Sequence, residues 1–167
     1  MSESSEDYKA RLIGYVGERD PLEILSETAR LLRDLLDGVP PDALVIPPAP
    51  GKWSIAEILA HLADDELILA YRMRTVLVAP GVEIVSFDQN RWADALRYRE
   101  IPARASLATF EAVRQWNLEA MKTLTPELWD RFGVHEERGR ESIRDMALLY
   151  AGHDINHSNQ IRAIVGR

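Results

Sequence analysis

The stretch Trp53-Ser54-Ile55-Ala56-Glu57-Ile58-Leu59-Ala60-His61-Leu62 decides the fold. Ser54 precedes an apolar run and Glu57 follows it by three residues. In that arrangement a hydroxyl and a carboxylate reciprocally satisfy two of the N–H donors that a helix leaves unpaired at its start. Trp53 and Ile58 stand at the flanking positions where two apolar side chains clamp the entering backbone. The spacing therefore predicts a helix from Ser54. Ile55, Ile58, Leu59, Leu62, Leu69, Met73 and Val76 carry its apolar stripe as far as Pro80-Gly81. That makes it about 25 residues long, or some 37 Å at 1.5 Å per residue.

Working outward, Leu22, Ile24, Leu25, Ala29, Leu32, Leu35 and Leu36 keep helical spacing from Pro21 to Gly38, where Val39-Pro40-Pro41 stops it. The stretch 39–53 is a proline-rich connection, and residues 1–19 read as a loose arm or a lead-in helix. Asp88 can cap a short helix running through Trp92, Ala95, Leu96 and Tyr98. A long helix follows Pro102, with Leu107, Phe110, Val113, Leu118, Met121 and Leu124 inward. Thr125-Pro126 opens one further turn, and Phe132 to Arg140, with two glycines and many charges, reads as loop. The last helix starts near Ser142, with Asp145 three residues on, and its inward stripe is Ile143, Met146, Tyr150, His153, His157, Gln160 and Ile164. Four long amphipathic helices and no convincing strand predict an all-α, antiparallel four-helix bundle. The two sizeable connections, 38–53 and 80–105, predict crossover topology.

The chain has 167 residues with no cysteine, 46% hydrophobic and 28% charged, which reads as one globular domain over 1–167. A domain of this size buries roughly 68–70% of its unfolded surface without disulfide or structural metal. No stretch approaches the 18 or so consecutive apolar residues of a membrane span, so no membrane partner is expected and a cytoplasmic location is the default. Twenty Lys and Arg against 27 Asp and Glu give 20 − 27 = −7, and the scattered arginines read as solvated helix faces. Nucleic acid is not expected as a partner, because its binding draws on phosphate neutralisation by clustered cations.

The chemical signal lies in His153-Asp154-Ile155-Asn156-His157. Residues four apart share one helix face, about 6 Å apart along the axis, so two imidazoles can converge on one ion. Both occupy inward positions where Ile or Leu is usual. His61, flanked by Ala60 and Leu62 beside the apolar stripe of the earlier helix, is the candidate third ligand. Three protein ligands with an open position is the pattern of a catalytic metal site. The ordinary alternative is a set of hydrogen-bonded core histidines. His135, in Val134-His135-Glu136-Glu137-Arg138, reads as a solvated loop residue. Asp65, one turn after His61, reads either as a group orienting a ligand or as a surface charge. No zincin helix, nucleophile elbow, Walker loop or dinucleotide fingerprint is present.

Beyond this reading of the residues, Trp53 to Asp64, Phe87-Asp88-Gln89-Asn90-Arg91-Trp92-Ala93 and Gly152 to Ile161 resemble the DinB family, in that family's order. The resemblance implies a four-helix bundle with a divalent metal, Zn or Ni above all, on His61, His153 and His157, and a homodimer. It also implies an enzyme acting on a small-molecule substrate, either a hydrolase using water or a transferase using a low-molecular-weight thiol. With no cysteine in the chain, such a thiol must be a cosubstrate. The competing expectation is a non-enzymatic stress-response or small-molecule-binding bundle with a vestigial or structural metal.

Overall fold

The computed structural model of the chain describes residues 4–166. Four long helices make the bundle: α2 (Pro21–Leu36), α4 (Ile55–Val78), α6 (Ala103–Lys122) and α8 (Ile143–Val165). Shorter elements join or precede them: α1 (Ser5–Val16), α3 (Pro41–Leu44), α5 (Gln89–Ala95), a 3-10 turn (Tyr98–Glu100) and α7 (Pro126–Trp129). The starts of the helices agree with the sequence. Ser54 and Glu57 form a complete capping box on α4, and Ser142 and Asp145 form another on α8. Asp88 caps α5 by accepting from Asn90 N and Arg91 N, although that helix ends at Ala95, before Tyr98.

α4 packs on α6 and α8, and α2 packs on α8 and α6, so α2 faces α4 and α6 faces α8 across the bundle axis. The chain therefore crosses the bundle twice. One crossing is the proline-rich connection after α2, as the sequence predicts. The second is the 123–142 connection, whereas the stretch after α4 joins neighbouring helices. The second crossing departs from the sequence reading in another way. Phe132–His135 (β2) and Gly139–Ser142 (β3) pair antiparallel, and Glu83–Ile84 (β1) adds parallel to β2. A segment read as loop thus enters a small three-stranded sheet, with β1 arriving from the connection after α4. Its alternation is too short and charged to stand out, and the strands are stabilised by pairing with each other and by Ile84 packing against Gly133.

The α1 helix, Ser5–Val16, packs along α8, with Leu12 and Val16 buried. Contact is close at Gly152, where any Cβ would run into the Leu12 carbonyl. The apolar core divides into one cluster around Leu25, Leu69, Met73, Met146 and Ala151 and another around Leu32, Leu59, Leu62, Phe110 and Ile161. On α6, Phe110 and Met121 are buried as expected, but Leu107, Val113 and Leu118 are only partly covered, as is Leu124 just beyond the helix. Arg114 and Asn117 occupy the inward face instead. No helix among the described residues is long and apolar enough to cross a membrane.

Candidate metal centre

The capping boxes fix where α4 and α8 begin, and packing of these two helices brings His61, two turns into α4, against His153 and His157 of α8. All three side chains are buried, at 1%, 7% and 6% exposure. Their Nε2 atoms converge: His61 Nε2 and His157 Nε2 each lie 3.0 Å from His153 Nε2. The rings meet edge to face, with centroids 4.3–5.0 Å apart.

Hydrogen bonding does not account for this arrangement. A neutral imidazole nitrogen is either one donor or one lone pair. His153 Nε2 can therefore complete only one of its two short contacts, and protonating the cluster would bring like charges together. Burial depresses all three histidines, holding His61 and His157 well below their usual range and His153 at about 4. For His61 the neighbouring His153 and His157 add to the effect. Three neutral imidazoles with inward lone pairs could hold a metal ion. Nitrogens about 2.0–2.1 Å from one ion, at octahedral to tetrahedral angles, stand roughly 2.9–3.4 Å apart. The observed 3.0 Å spacing fits that range.

Other residues orient the rings. Gln160 Oε1 lies 3.0 Å from His157 Nδ1, so an Nδ1–H donating there leaves the Nε2 lone pair facing inward. Gln160 is itself exposed, contrary to its inward position in the sequence stripe, and reaches the site with its side chain. Asp65 is buried and presents Oδ2 3.3 Å from His153 Nδ1. This is ion-pair distance without good hydrogen-bond alignment, since His153 Nδ1 lacks a hydrogen-bond partner. Burial pushes the Asp65 carboxyl up to about 7, against the opposing pull of Arg72. Trp53 lies against His61, ring centroids 5.0 Å apart, and His61 Nδ1 has no partner.

The cluster opens on one side into a cavity of about 420 Å³, walled by α1, α4, α8 and the 87–90 and 137–141 segments. His61, His153, Asp65, Arg72 and Tyr150 line it. A volume of this size suits a small molecule.

His135 is not part of this group and is not solvated. It is buried in β2, its Nδ1 accepts from Glu137 N, and its pKa is lowered to about 4 by burial, then by Arg138 and Arg72. Sequence reasoning also missed an ionic network behind the histidines. Arg114 donates to both oxygens of Asp154, at 2.6 and 3.1 Å, and to Glu66 Oε1 at 2.7 Å. Asn117 donates to Glu66 Oε2 at 3.1 Å. The signal available in the sequence was helical phase, since Arg114 follows Phe110 by one turn on the buried face.

A four-helix bundle with a buried, lone-pair-rich histidine triad at the floor of an open cavity defines a class of candidate metal-dependent proteins. The family model for the DinB superfamily matches residues 24–161, and the chain belongs to that superfamily. Among similar proteins are two named "putative metal-dependent hydrolase". One, from Oceanobacillus iheyensis, is 24% identical over 143 residues, covering 86% of this chain and 83% of the relative. The other, YfiT of Bacillus subtilis, is 22% identical over 147 residues, covering 87% and 83%. The solved structure of Bacillus subtilis YfiT, described as having an unusual four-helix bundle topology, matches with a TM-score of 0.78 at 20% identity. That match covers 99% of this chain and 91% of that one.

Proposed function

We propose that this protein is a metal-dependent hydrolase of a small molecule, in which His61, His153 and His157 hold one divalent ion, Zn²⁺ or Ni²⁺, through Nε2. The observation that carries the reading is the convergence of three buried ring nitrogens that no hydrogen-bond scheme satisfies, beside a cavity open to solvent. The names of its relatives point the same way. A divalent ion there supplies Lewis acidity, which polarises a carbonyl or brings the pKa of water towards 7.

The chain's own residues do the rest. Gln160 Oε1 accepts from His157 Nδ1–H and so holds that ring with its Nε2 lone pair inward, while the Asp65 carboxyl lies at ion-pair distance from His153 Nδ1. Trp53 covers His61 on its outer side. The open cavity supports turnover over a binding or stress-response role with a structural metal, because a structural site is closed. The chain acts in this reading as a homodimer without nucleic-acid or membrane partners.

The test is metal content of the purified protein, followed by turnover of a panel of small esters and amides by metal-free, Zn²⁺-loaded and Ni²⁺-loaded protein. Metal-dependent release of product by water alone is expected. Activity that starts only when a low-molecular-weight thiol is added would replace hydrolysis by thiol transfer. Absence of stoichiometric metal would overturn both.

A further inference from the structure

Arg72 stands apart from the other cations on the cavity wall. It is only 8% exposed, and among the described residues no carboxylate lies within ion-pair distance of it. Its Nη2 donates to the Val85 carbonyl at 2.8 Å, and the guanidinium lies 5.9 Å from the centre of the Phe87 ring. The remaining N–H groups of its fork make no hydrogen bond to a described residue. Arg138, by contrast, is joined to Glu141 through three short contacts. A buried cation without a partner costs several kcal/mol, and a planar fork of donors matches a carboxylate or phosphate in two parallel hydrogen bonds.

The acids on the same wall do not fill that role. Asp65 feels the Arg72 charge only from beyond ion-pair distance and faces His153, Asp88 caps α5, Glu141 is engaged by Arg138, and Glu137 is exposed. His61, Asp65 and Arg72 follow one another on α4 at steps of four and seven residues, one turn and two, so they share a helix face. Eleven residues at 1.5 Å put the His61 and Arg72 backbones about 16 Å apart along the axis. Both residues line the same cavity, so its α4 wall carries His61 at one position and Arg72 three turns further on.

We infer that Arg72 anchors an oxyanion of the substrate, so that the enzyme acts on small molecules carrying a carboxylate or phosphate at the end remote from the bond presented to the histidines. This rests on the metal-site reading for the direction of binding, but anion capture by Arg72 stands on its own geometry. Arg72 is a specificity residue in this assignment, outside the bond-breaking chemistry.

Binding of glutarate, inorganic phosphate and the neutral glutaramide tests it, by calorimetry and thermal shift on Zn²⁺-loaded wild type, Arg72→Gln, Arg72→Lys and zinc-free His61→Ala. Wild type is expected to bind an anion about tenfold or more tightly than glutaramide, with Arg72→Gln losing that preference and Arg72→Lys retaining part of it. Glutarate alone would identify a carboxylate as the group held, and phosphate alone a phosphoryl group. Zinc-free His61→Ala should keep the anion preference. Loss of the preference there would mean that the metal, not Arg72, holds the anion, and would overturn the proposal. So would equal binding of glutarate, phosphate and glutaramide to wild type, which needs no variant to fold. If His61→Ala still binds zinc normally, the ligand assignment fails while the Arg72 result is read independently.

Discussion

His153 and Asp154 are neighbours in α8, yet they serve two opposite kinds of buried polar cluster. Asp154 belongs to a nearly closed one. Both its oxygens accept from Arg114, which also binds Glu66 and the Leu25 carbonyl, and of the Arg114 guanidinium only Nε is unpartnered. His153 belongs to an open one, where three Nε2 atoms crowd together and two Nδ1 atoms lack hydrogen bonds. Buried polar groups are normally satisfied. A satisfied network ties α4, α6 and α8 together, whereas convergent ring nitrogens that cannot all pair with one another form a group that could hold a metal ion. The two clusters are therefore separable by experiment although they touch along one helix.

The largest effect is expected on the closed side. Arg114→Ala leaves Glu66 and Asp154 buried without compensation and should lower stability by about 3–5 kcal/mol, measured by urea unfolding of metal-free protein. A loss below about 1 kcal/mol would mean the network stabilises little beyond what solvent provides.

On the open side, His61→Ala, His153→Ala and His157→Ala should each lower metal affinity by more than the 10–100-fold of outer-shell changes, and each should abolish most of the metal-dependent rise in Tm. His135→Ala should leave metal affinity unchanged. If it behaves like the other three, the division drawn here between the triad and the β2 histidine is wrong.

Asp65→Asn sharpens the boundary between the clusters. It keeps the shape but removes the charge facing His153 Nδ1, so metal affinity should fall by about 10–100-fold with little loss of fold stability. Wild-type affinity in this variant would return Asp65 to a structural role.

The smallest change is graded with pH. His153 and His135 are held at about 4 in the folded protein, and His61 and His157 also lie well below their ordinary value near 6.5. As pH falls below about 6.5 the unfolded chain takes up these protons first, so their contribution is fully present above that pH and is lost progressively towards the folded values, about 4 for His153 and His135. Asp65, raised to about 7, works the other way, because its folded form binds a proton that the unfolded chain releases above about 4. Burial raises Glu66 in the same direction, and the four histidines outweigh these two carboxyls. Metal-free protein should lose stability from about pH 7 to 6, by less than about 1.4 kcal/mol for each proton by which the unfolded chain leads. A urea midpoint that rises on acidification would contradict the burial of these rings as neutral groups.

Much of this comparison was legible in the chain itself. Capping boxes are local, so Ser54, Glu57, Ser142 and Asp145 announced the two helices that carry the triad histidines. The four-residue step between His153 and His157 is a property of helical pitch and needed no tertiary information. The ionic network was not legible, because a single arginine on an amphipathic helix ordinarily faces water, and only the partners brought by α4 and α8 make Arg114 inward. His135 was misplaced for the same kind of reason, since its burial depends on β1 and β3 lying beside β2.

By itself, then, the sequence determined the four long helices, their starting points, the absence of thiol chemistry from the chain and the face on which each triad histidine lies, all of which depend on residues within a few turns of one another. Tertiary structure alone decided that helices facing across the bundle are joined by the 37–54 and 123–142 connections, that α1 walls the cavity and that Asp65 turns to His153. It also decided that, among the described residues, no carboxylate reaches ion-pair distance of Arg72. These are matters of which distant segments meet, and local spacing carries no information about a partner that arrives from elsewhere in the fold.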